Sequence, residues 1–224
     1  MSQHDIFENR KQFQLERLIL FSDAVFAIAI TLLVLEVRVP HSNWSKPISI
    51  EQLNEYVIEI IPNLLGYTFS FFIIGFYWTI HHRIFGYIIN YDAAVMWLNL
   101  LLLFFIALLP FSTTLTSEYG YLVESFVYYW MNVFLIGVVS FFIQLHISNQ
   151  KRNLSKGFED KNHRRYTLAR SLFTSLVFLS GAVFAMTNNV MLQIFSRYVY
   201  ILIFPGLIIL KKIFKQGKQQ HAKP

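Results

Sequence analysis

The chain contains no cysteine among its 224 residues, and only 14% of its residues are charged. The absence of cysteine excludes a disulfide scaffold, thiolate zinc sites and cysteine nucleophiles. Soluble domains carry about 25% charged residues, so this chain has too little polar surface to coat a water-soluble globule. Hydrophobic residues make up 55% of the chain and aromatic residues 17%, which excludes disorder. The composition therefore predicts a protein that crosses the membrane several times.

Long apolar runs follow one another along the sequence. A membrane-crossing helix needs about 20 mostly apolar residues, and lipid offers no partners to the backbone, so continuous helices are expected. We therefore predict an all-α membrane protein, a single domain over residues 1–224 with six transmembrane helices. Asn188 and Asn189 alone separate the last two runs, which predicts a tight helical hairpin, and Ser49 with Gln52 predicts a capping box. The predicted spans are residues 18–37, 56–80, 93–115, 122–145, 168–187 and 190–210.

Basic residues are concentrated in alternate segments. Every Lys and Arg except Arg38, Lys46 and Arg197 lies before the first run, between the second and third, between the fourth run and the start of the fifth, or after the sixth. Because Lys and Arg are enriched on the cytoplasmic side of membranes, both termini are predicted to be cytoplasmic. This clustering argues against nucleic acid as a partner, and the stretch 151–170 is expected to contact anionic lipid headgroups. The polar, acid-containing N-terminal segment lacks a cleavage site and is expected to be retained.

The first run carries polar residues and an aliphatic stripe on different faces. With about 100° of rotation per helical residue, Ile28, Leu32 and Leu35 share one face, Thr31 lies about 60° to its side, and Asp23 lies about 140° from Ile28. Polar residues inside a membrane are costly and are therefore functional candidates. We expect Asp23 to face neighbouring helices and the Ile28 stripe to face something else.

Simpler interpretations remain open for each of these residues. The Ile28 stripe also suits ordinary packing against lipid or another helix. The Thr31 hydroxyl would then donate to the carbonyl four residues earlier. Asp23 is either a structural carboxylate held by hydrogen bonds or a carrier of a proton or ion. Glu36 either raises the cation concentration near the outer end of the first helix or pairs with Arg38.

The next two runs place candidate partners for Asp23 at the same depth. Buried polar groups must be paired, and indole, imidazole and amide groups can pair with a carboxylate or hydroxyl. Neighbouring histidines project about 100° apart on a helix, which disfavours a metal site, and they also suit contact with lipid headgroups. The candidate partners are Trp78, His81, His82 and Asn99.

One motif resembles a known family. Arg17-x-x-x-Phe21-Ser22-Asp23, followed by AVFAIAITLLVLE, strongly resembles the signature of the endolysosomal potassium channel family of the transmembrane protein 175 type, and specifically its bacterial members. WTIHHR at 78–83, LPFS at 109–112 and SEYG at 117–120 agree with it, so the match covers about the first 120 residues. The resemblance implies six-helix subunits that assemble as a homotetramer in the bacterial inner membrane. It also implies potassium as the permeant ion, with no cofactor.

The resemblance also implies roles for residues of the first helix. Ile28 would form the narrowest ring of a central pore, and Leu32 and Leu35 would continue that ring stack. Thr31 would contribute to potassium preference. The chain lacks the TVGYG carbonyl filter, and the string LGYT at 65–68 has no filter context.

The same resemblance implies a structural network behind the pore. Ser22 and Asp23 would bond to Trp78 and to a histidine of the second run, and His81 and His82 remain equal candidates.

An apolar ring supplies no coordination to a cation, so we expect a modest preference for potassium over sodium. Such a ring can also close by dewetting.

Two further function classes are weighed against a channel. A secondary transporter would use Asp23 as its coupling carboxylate, but the chain shows no internal repeat and its first run has no Gly or Pro break. An enzyme is disfavoured because no Ser/His/Asp set or paired carboxylates converge at one depth. A single signature helix can hardly enclose a pore alone, which favours a closed ring of subunits.

Overall fold

The computed structural model describes residues 3–37, 49–158 and 160–220, and these are almost entirely helical. Five helical stretches are long and apolar enough to cross a membrane, and a bent helix pair makes a sixth. The prediction of an all-α, multi-pass membrane protein is confirmed. The helices are α1 (Gln3–Leu32), α2 (Ile50–Phe85), α3 (Ala93–Ala107), α4 (Leu109–Glu118), α5 (Val123–Ile147), α6 (Lys161–Ala185), α7 (Val190–Ser196) and α8 (Ile203–Gln220), with short 3-10 helices at Leu33–Glu36, Gln150–Arg152 and Val199–Leu202.

The second helix extends beyond the predicted membrane span 56–80 at both ends. α2 runs unbroken for 36 residues, with Pro62 inside it, and is about 54 Å long at 1.5 Å per residue. It therefore extends well beyond a hydrocarbon core of about 30 Å. The predicted capping box begins it: the Ser49 hydroxyl accepts from the Gln52 N–H at 3.2 Å, and the Gln52 side chain accepts from the Ser49 N–H at 3.1 Å.

The third predicted span is divided into two helices. α3 ends at Ala107, and α4 begins at Leu109 with Pro110 in its first turn. Proline has no N–H, and its ring clashes with the carbonyl four residues earlier, here that of Ile106. The two helices still form one stretch, Ala93–Glu118, that is long enough to cross a membrane.

The prediction of a continuous sixth helix is wrong. The chain bends by 61° between α7 and the helical segment Val199–Phe214. Arg197 lies at this bend, where its guanidinium sits 4.7 Å from the centre of the Phe126 ring and donates to the Gly120 carbonyl at 3.3 Å. A charged side chain is costly inside an apolar helix, and the bend brings Arg197 to these partners.

α5 and α6 pack most extensively against each other, and α1 lies at the edge of the bundle against α2, α3 and α4. Gly137 of α5 allows the close contact with α6, because a side chain there would collide with Ser175 and would come within 3.0 Å of the Tyr77 hydroxyl. Tyr77 in turn donates to the Val133 carbonyl at 3.2 Å. The bundle core therefore joins α2, α5 and α6.

Two loops are joined at one end of the bundle, which we call the basic end (residues 83–92 and 146–165). The Ile89 N–H donates to the Leu154 carbonyl at 2.9 Å, and the Lys156 N–H donates to the Tyr87 carbonyl at 2.9 Å. Gly157 has φ +100°, and a side chain there would come within 2.8 Å of the Tyr87 ring. The α2–α3 and α5–α6 loops therefore form one platform.

Candidate functional site

α1 has one buried face and one exposed face. Ser22, Phe26, Ala29 and Leu33 recur at helical spacing, and each is at most 1% exposed. On the other side, Ile28 is 57% exposed, Leu32 42% and Leu35 66%, and Thr31 is also exposed. The exposed face is therefore largely apolar and is not covered by the described residues.

The buried face of α1 is held by a chain of hydrogen bonds that crosses three helices. His81 Nε2 of α2 lies 2.9 Å from Asn99 Oδ1 of α3, and Asn99 Nδ2 donates to Ser22 Oγ at 2.9 Å. The Ser22 hydroxyl donates to the Leu18 carbonyl at 2.8 Å. Because an amide oxygen only accepts, His81 Nε2 must carry the hydrogen, and every bond in the chain then runs in the same direction. All three side chains are buried.

Asp23 is held separately, at the edge of the helix bundle. Its carboxylate accepts a hydrogen bond from the Trp78 indole at 2.9 Å, and Trp78 is 40% exposed. The exposed His82 ring stacks on Trp78, with 5.5 Å between ring centres and 28° between ring planes. The two histidines therefore take different places: His81 reaches Ser22 through Asn99, and His82 packs on the hydrogen-bond donor of Asp23.

The remaining predicted residues lie on or near the exposed side of α1. The Thr31 hydroxyl donates to the Ile28 carbonyl at 2.9 Å, three residues earlier and not four. Phe21 is 51% exposed, and the Arg17 guanidinium lies 6.0 Å from the centre of the Phe13 ring. The Glu36 side chain and Arg38 lie outside the described residues. Among the described residues no three His, Asp or Glu side chains are grouped closely enough to hold a metal ion.

Sequence reasoning missed a second buried polar cluster, between α2, α4 and α5. Thr113 donates to Ser70 Oγ at 2.7 Å, and Ser70 Oγ lies 3.0 Å from the Tyr129 hydroxyl. Asn132 donates to Ser112 Oγ at 3.0 Å on the same two helices, α4 and α5. The signal for this cluster was the presence of hydroxyl and amide residues within apolar runs. The cluster borders a cavity of about 840 Å³.

These features define a multi-pass helical membrane protein whose leading helix is anchored on one side and uncovered on the other. Residues 17–110 match the family described as endosomal/lysosomal potassium channel TMEM175. The chain is 39% identical over 99 residues to a potassium channel of Streptomyces collinus, covering 44% of this chain and 46% of that protein. It is 39% identical over 110 residues to the endosomal/lysosomal proton channel TMEM175 of Gallus gallus, covering 47% of this chain and 22% of that protein.

The likeness in fold extends over most of the chain. The crystal structure of a lysosomal potassium-selective channel TMEM175 homolog from Chamaesiphon minutus superposes with a TM-score of 0.71 at 26% identity, covering 88% of this chain and 98% of that chain. The sequence alignments are shorter, and in them the chain spans about half the length of the bacterial potassium channels it matches. The resemblance indicated by the first-helix motif is thus confirmed.

Proposed function

We propose that this chain is the subunit of a potassium-permeable cation channel, a homotetramer whose pore is lined by the exposed face of α1. The carrying observation is that α1 leaves Ile28, Thr31, Leu32 and Leu35 uncovered while its opposite face is buried and hydrogen-bonded. A ring of subunits would bury this face at a central axis, and closed rings are the usual form of such assemblies. The channel names of the relatives support this function.

The chemistry of the exposed face favours modest selectivity. Aliphatic rings at Ile28, Leu32 and Leu35 replace none of the water that a passing cation loses, so the ion must keep part of its hydration shell. The Thr31 hydroxyl hydrogen is committed to the Ile28 carbonyl, which leaves the lone pairs of its oxygen free to face a cation. Potassium holds its shell less tightly than sodium, so a narrow apolar neck with nearby hydroxyl oxygens favours potassium.

The polar groups behind the pore act as positioning residues in this proposal. The bonds of Ser22 to Asn99 and of Asp23 to Trp78 tie α1 to both α3 and α2. Two ties on different helices set the rotation of α1 about its own axis. They thereby determine which side chains face the pore.

Planar bilayer recording of the purified protein under a potassium/sodium gradient tests the proposal. Ile28→Asn is expected to raise unitary conductance and to bring the reversal potential closer to zero, because a polar ring lowers the cost of wetting the neck. Val34→Asn is the matched control, because Val34 is also exposed, in the 3-10 helix that follows α1, and is not part of the Ile28 stripe. Unchanged currents in Ile28→Asn, or equal effects in both variants, would contradict a pore at Ile28.

Asp23→Asn separates this proposal from a secondary transporter. A coupling carboxylate would be required for every transport cycle, so its loss would abolish a flux that saturates and shows no unitary events. In a channel the hydrogen bond between Trp78 and Asp23 has a structural role, and unitary currents should survive in Asp23→Asn. The name of the chicken relative adds protons as a second permeant ion, which a pH gradient across the same bilayer tests.

The proposed orientation follows the distribution of charge. Lys and Arg in the basic end and in both terminal segments place these parts on the cytoplasmic side of a bacterial inner membrane. Cysteines introduced one at a time at Lys151 and Tyr121 should react with a membrane-impermeant maleimide from opposite sides. Labelling of both positions from the same side would contradict this orientation.

A further inference from the structure

A small cavity at the basic end lies between the end of α2, the end of α5 and the first half of α6. Its volume is about 40 Å³. A buried water needs about 10–15 Å³, so the space holds about three water-sized groups. Two arginines from different helices line it, Arg83 of α2 and Arg170 of α6, together with the aromatic rings of Tyr87 and Phe158.

The cavity carries positive charge without a compensating negative one. None of the residues that line it is acidic. At the same end of the bundle, Asp92 contacts His146 and Arg152 instead. Arg83 and Arg170 therefore share a cavity without a carboxylate partner among the described residues. Two like charges beside apolar walls repel one another, and an anion between them would relieve this repulsion.

The two threonine hydroxyls that line the cavity are engaged within α6. Thr167 donates to the carbonyls of His163 at 3.1 Å and Arg164 at 2.9 Å, and Thr174 donates to the Arg170 carbonyl at 2.9 Å. The charged donors that line the cavity are the two guanidiniums. A guanidinium presents paired N–H groups whose geometry matches two oxygens of a phosphate.

The cavity lies at the basic end, where the stretch 151–170 is predicted from its charge to contact anionic lipid headgroups. Arg170 lies nine residues after the start of α6, or about 14 Å along that helix. Tyr87 and Phe158 close the cavity on the loop side, with 5.0 Å between their ring centres. Arg83 is exposed, so one side of the cavity is reached from outside the bundle.

We propose that Arg83 and Arg170 together bind a phosphate group, carried by an anionic lipid headgroup or present as free phosphate. The bound group bridges α2 and α6. Because α2 also holds α1 through Trp78, the ligand stabilises the scaffold behind the first helix. This binding does not depend on the chain being a channel.

Equilibrium binding to the purified full chain in detergent tests the site. The probes are dioctanoyl phosphatidic acid, inorganic phosphate and, as an uncharged comparison, dioctanoyl phosphatidylcholine. Arg83→Gln and Arg170→Gln are each expected to weaken phosphatidic acid binding about tenfold, since each removes a charge-assisted hydrogen-bond donor. Arg83→Lys keeps the charge but loses the paired geometry, so an intermediate loss is expected.

Arg165→Gln is the matched control, because it removes the same charge from an exposed position of α6 that does not line the cavity. A change below about twofold is expected there if binding is specific to the cavity. Competition distinguishes the two sources: inorganic phosphate that displaces the lipid identifies a site for free phosphate, and failure to displace it identifies a lipid site.

Three results would overturn the proposal. These are no saturable binding of either phosphate probe, unchanged binding in Arg83→Gln, and an equal loss in Arg165→Gln. Size-exclusion profiles and thermal unfolding verify that each variant is folded. Should Arg170→Gln not fold, the exposed Arg83 still decides the question through its Gln and Lys variants.

Discussion

The hydrogen-bond chain from His81 through Asn99 to Ser22 makes Asn99→Leu the most informative stability variant. Asn99 is fully buried and bonds to α2 on one side and α1 on the other. Leucine fills a similar volume but leaves the His81 Nε2–H buried without an acceptor. The Ser22 hydroxyl keeps its own bond to the Leu18 carbonyl and loses only a donor to its oxygen.

The expected cost follows from these groups. A stranded buried donor costs about 1–3 kcal/mol, whereas an average side-chain hydrogen bond between membrane helices contributes about 0.6 kcal/mol. We therefore expect Asn99→Leu to lower the free energy of unfolding by about 2 kcal/mol. His81→Leu strands the Asn99 oxygen and loses the ring stacking with Phe85, whose centre is 4.0 Å away, so a similar cost is expected.

The double variant His81→Leu/Asn99→Leu carries the decisive test. It removes both partners together and strands neither, so its cost should be about 1–2 kcal/mol less than the sum of the two single costs. SDS titration of the protein in mixed micelles, followed by circular dichroism, measures all four free energies. Ser180→Ala is the control, because that hydroxyl donates at 2.7 Å to the Val177 carbonyl of its own helix. The loss in free energy of unfolding caused by Ser180→Ala should simply add to that caused by Asn99→Leu. If the losses caused by His81→Leu and Asn99→Leu are also additive, the proposed hydrogen-bond chain is refuted.

Two further predictions concern the basic end. Burial raises the pKa of Asp92. The Val95 N–H, the hydrogen bond and charge of His146 and the charge of Arg152 outweigh burial and hold the pKa below the ordinary value of an aspartate. The charged Asp92 therefore stabilises the fold above the ordinary pKa of an aspartate, and this stabilisation is lost as the pH falls through the lowered pKa. Asp92→Asn keeps a helix cap but removes the charge, so it should cost less than about 1 kcal/mol at pH 7, and the difference from the wild type should vanish in acid unfolding experiments. Gly157→Ala should lower the thermal unfolding midpoint, because φ is +100° and the methyl group meets the Tyr87 ring; an unchanged midpoint would contradict this reasoning.

The sequence was sufficient to predict the membrane architecture because long apolar runs and local caps depend only on neighbouring residues. The capping box at Ser49 is of this kind. The bend of the sixth span was missed, although Arg197 was a visible signal, because a charged residue lies inside the predicted span 190–210. The division after Ala107 had a similar local sign in Pro110. In both places the prediction of a continuous helix followed the high hydropathy of the run and ignored one residue that disfavours a continuous membrane helix.

The separation of His81 from His82 was beyond sequence reasoning for a different reason. The two residues are adjacent, so both lie at the right depth, and only the packing of α2 decides which ring is buried. His81 lies between the rings of Phe26, at 5.4 Å, and Phe85, at 4.0 Å, while His82 remains exposed. The placement of Asn99 between His81 and Ser22 likewise depends on where α3 packs in the bundle. Contacts between residues far apart in sequence require the assembled bundle.

Contacts within one chain determine which face of α1 remains uncovered. Turning α1 by one residue, about 100°, would carry Ser22 away from Asn99 and would leave the Asn99 amide without its acceptor. It would also break the bond from Trp78 to Asp23. Stranding the buried Asn99 amide would cost about 1–3 kcal/mol, and the apolar residues Phe26 and Leu33 would leave their packing as well. Assembly of the proposed ring therefore needs no rotation of α1, because the Ile28 face is already set by bonds within one subunit.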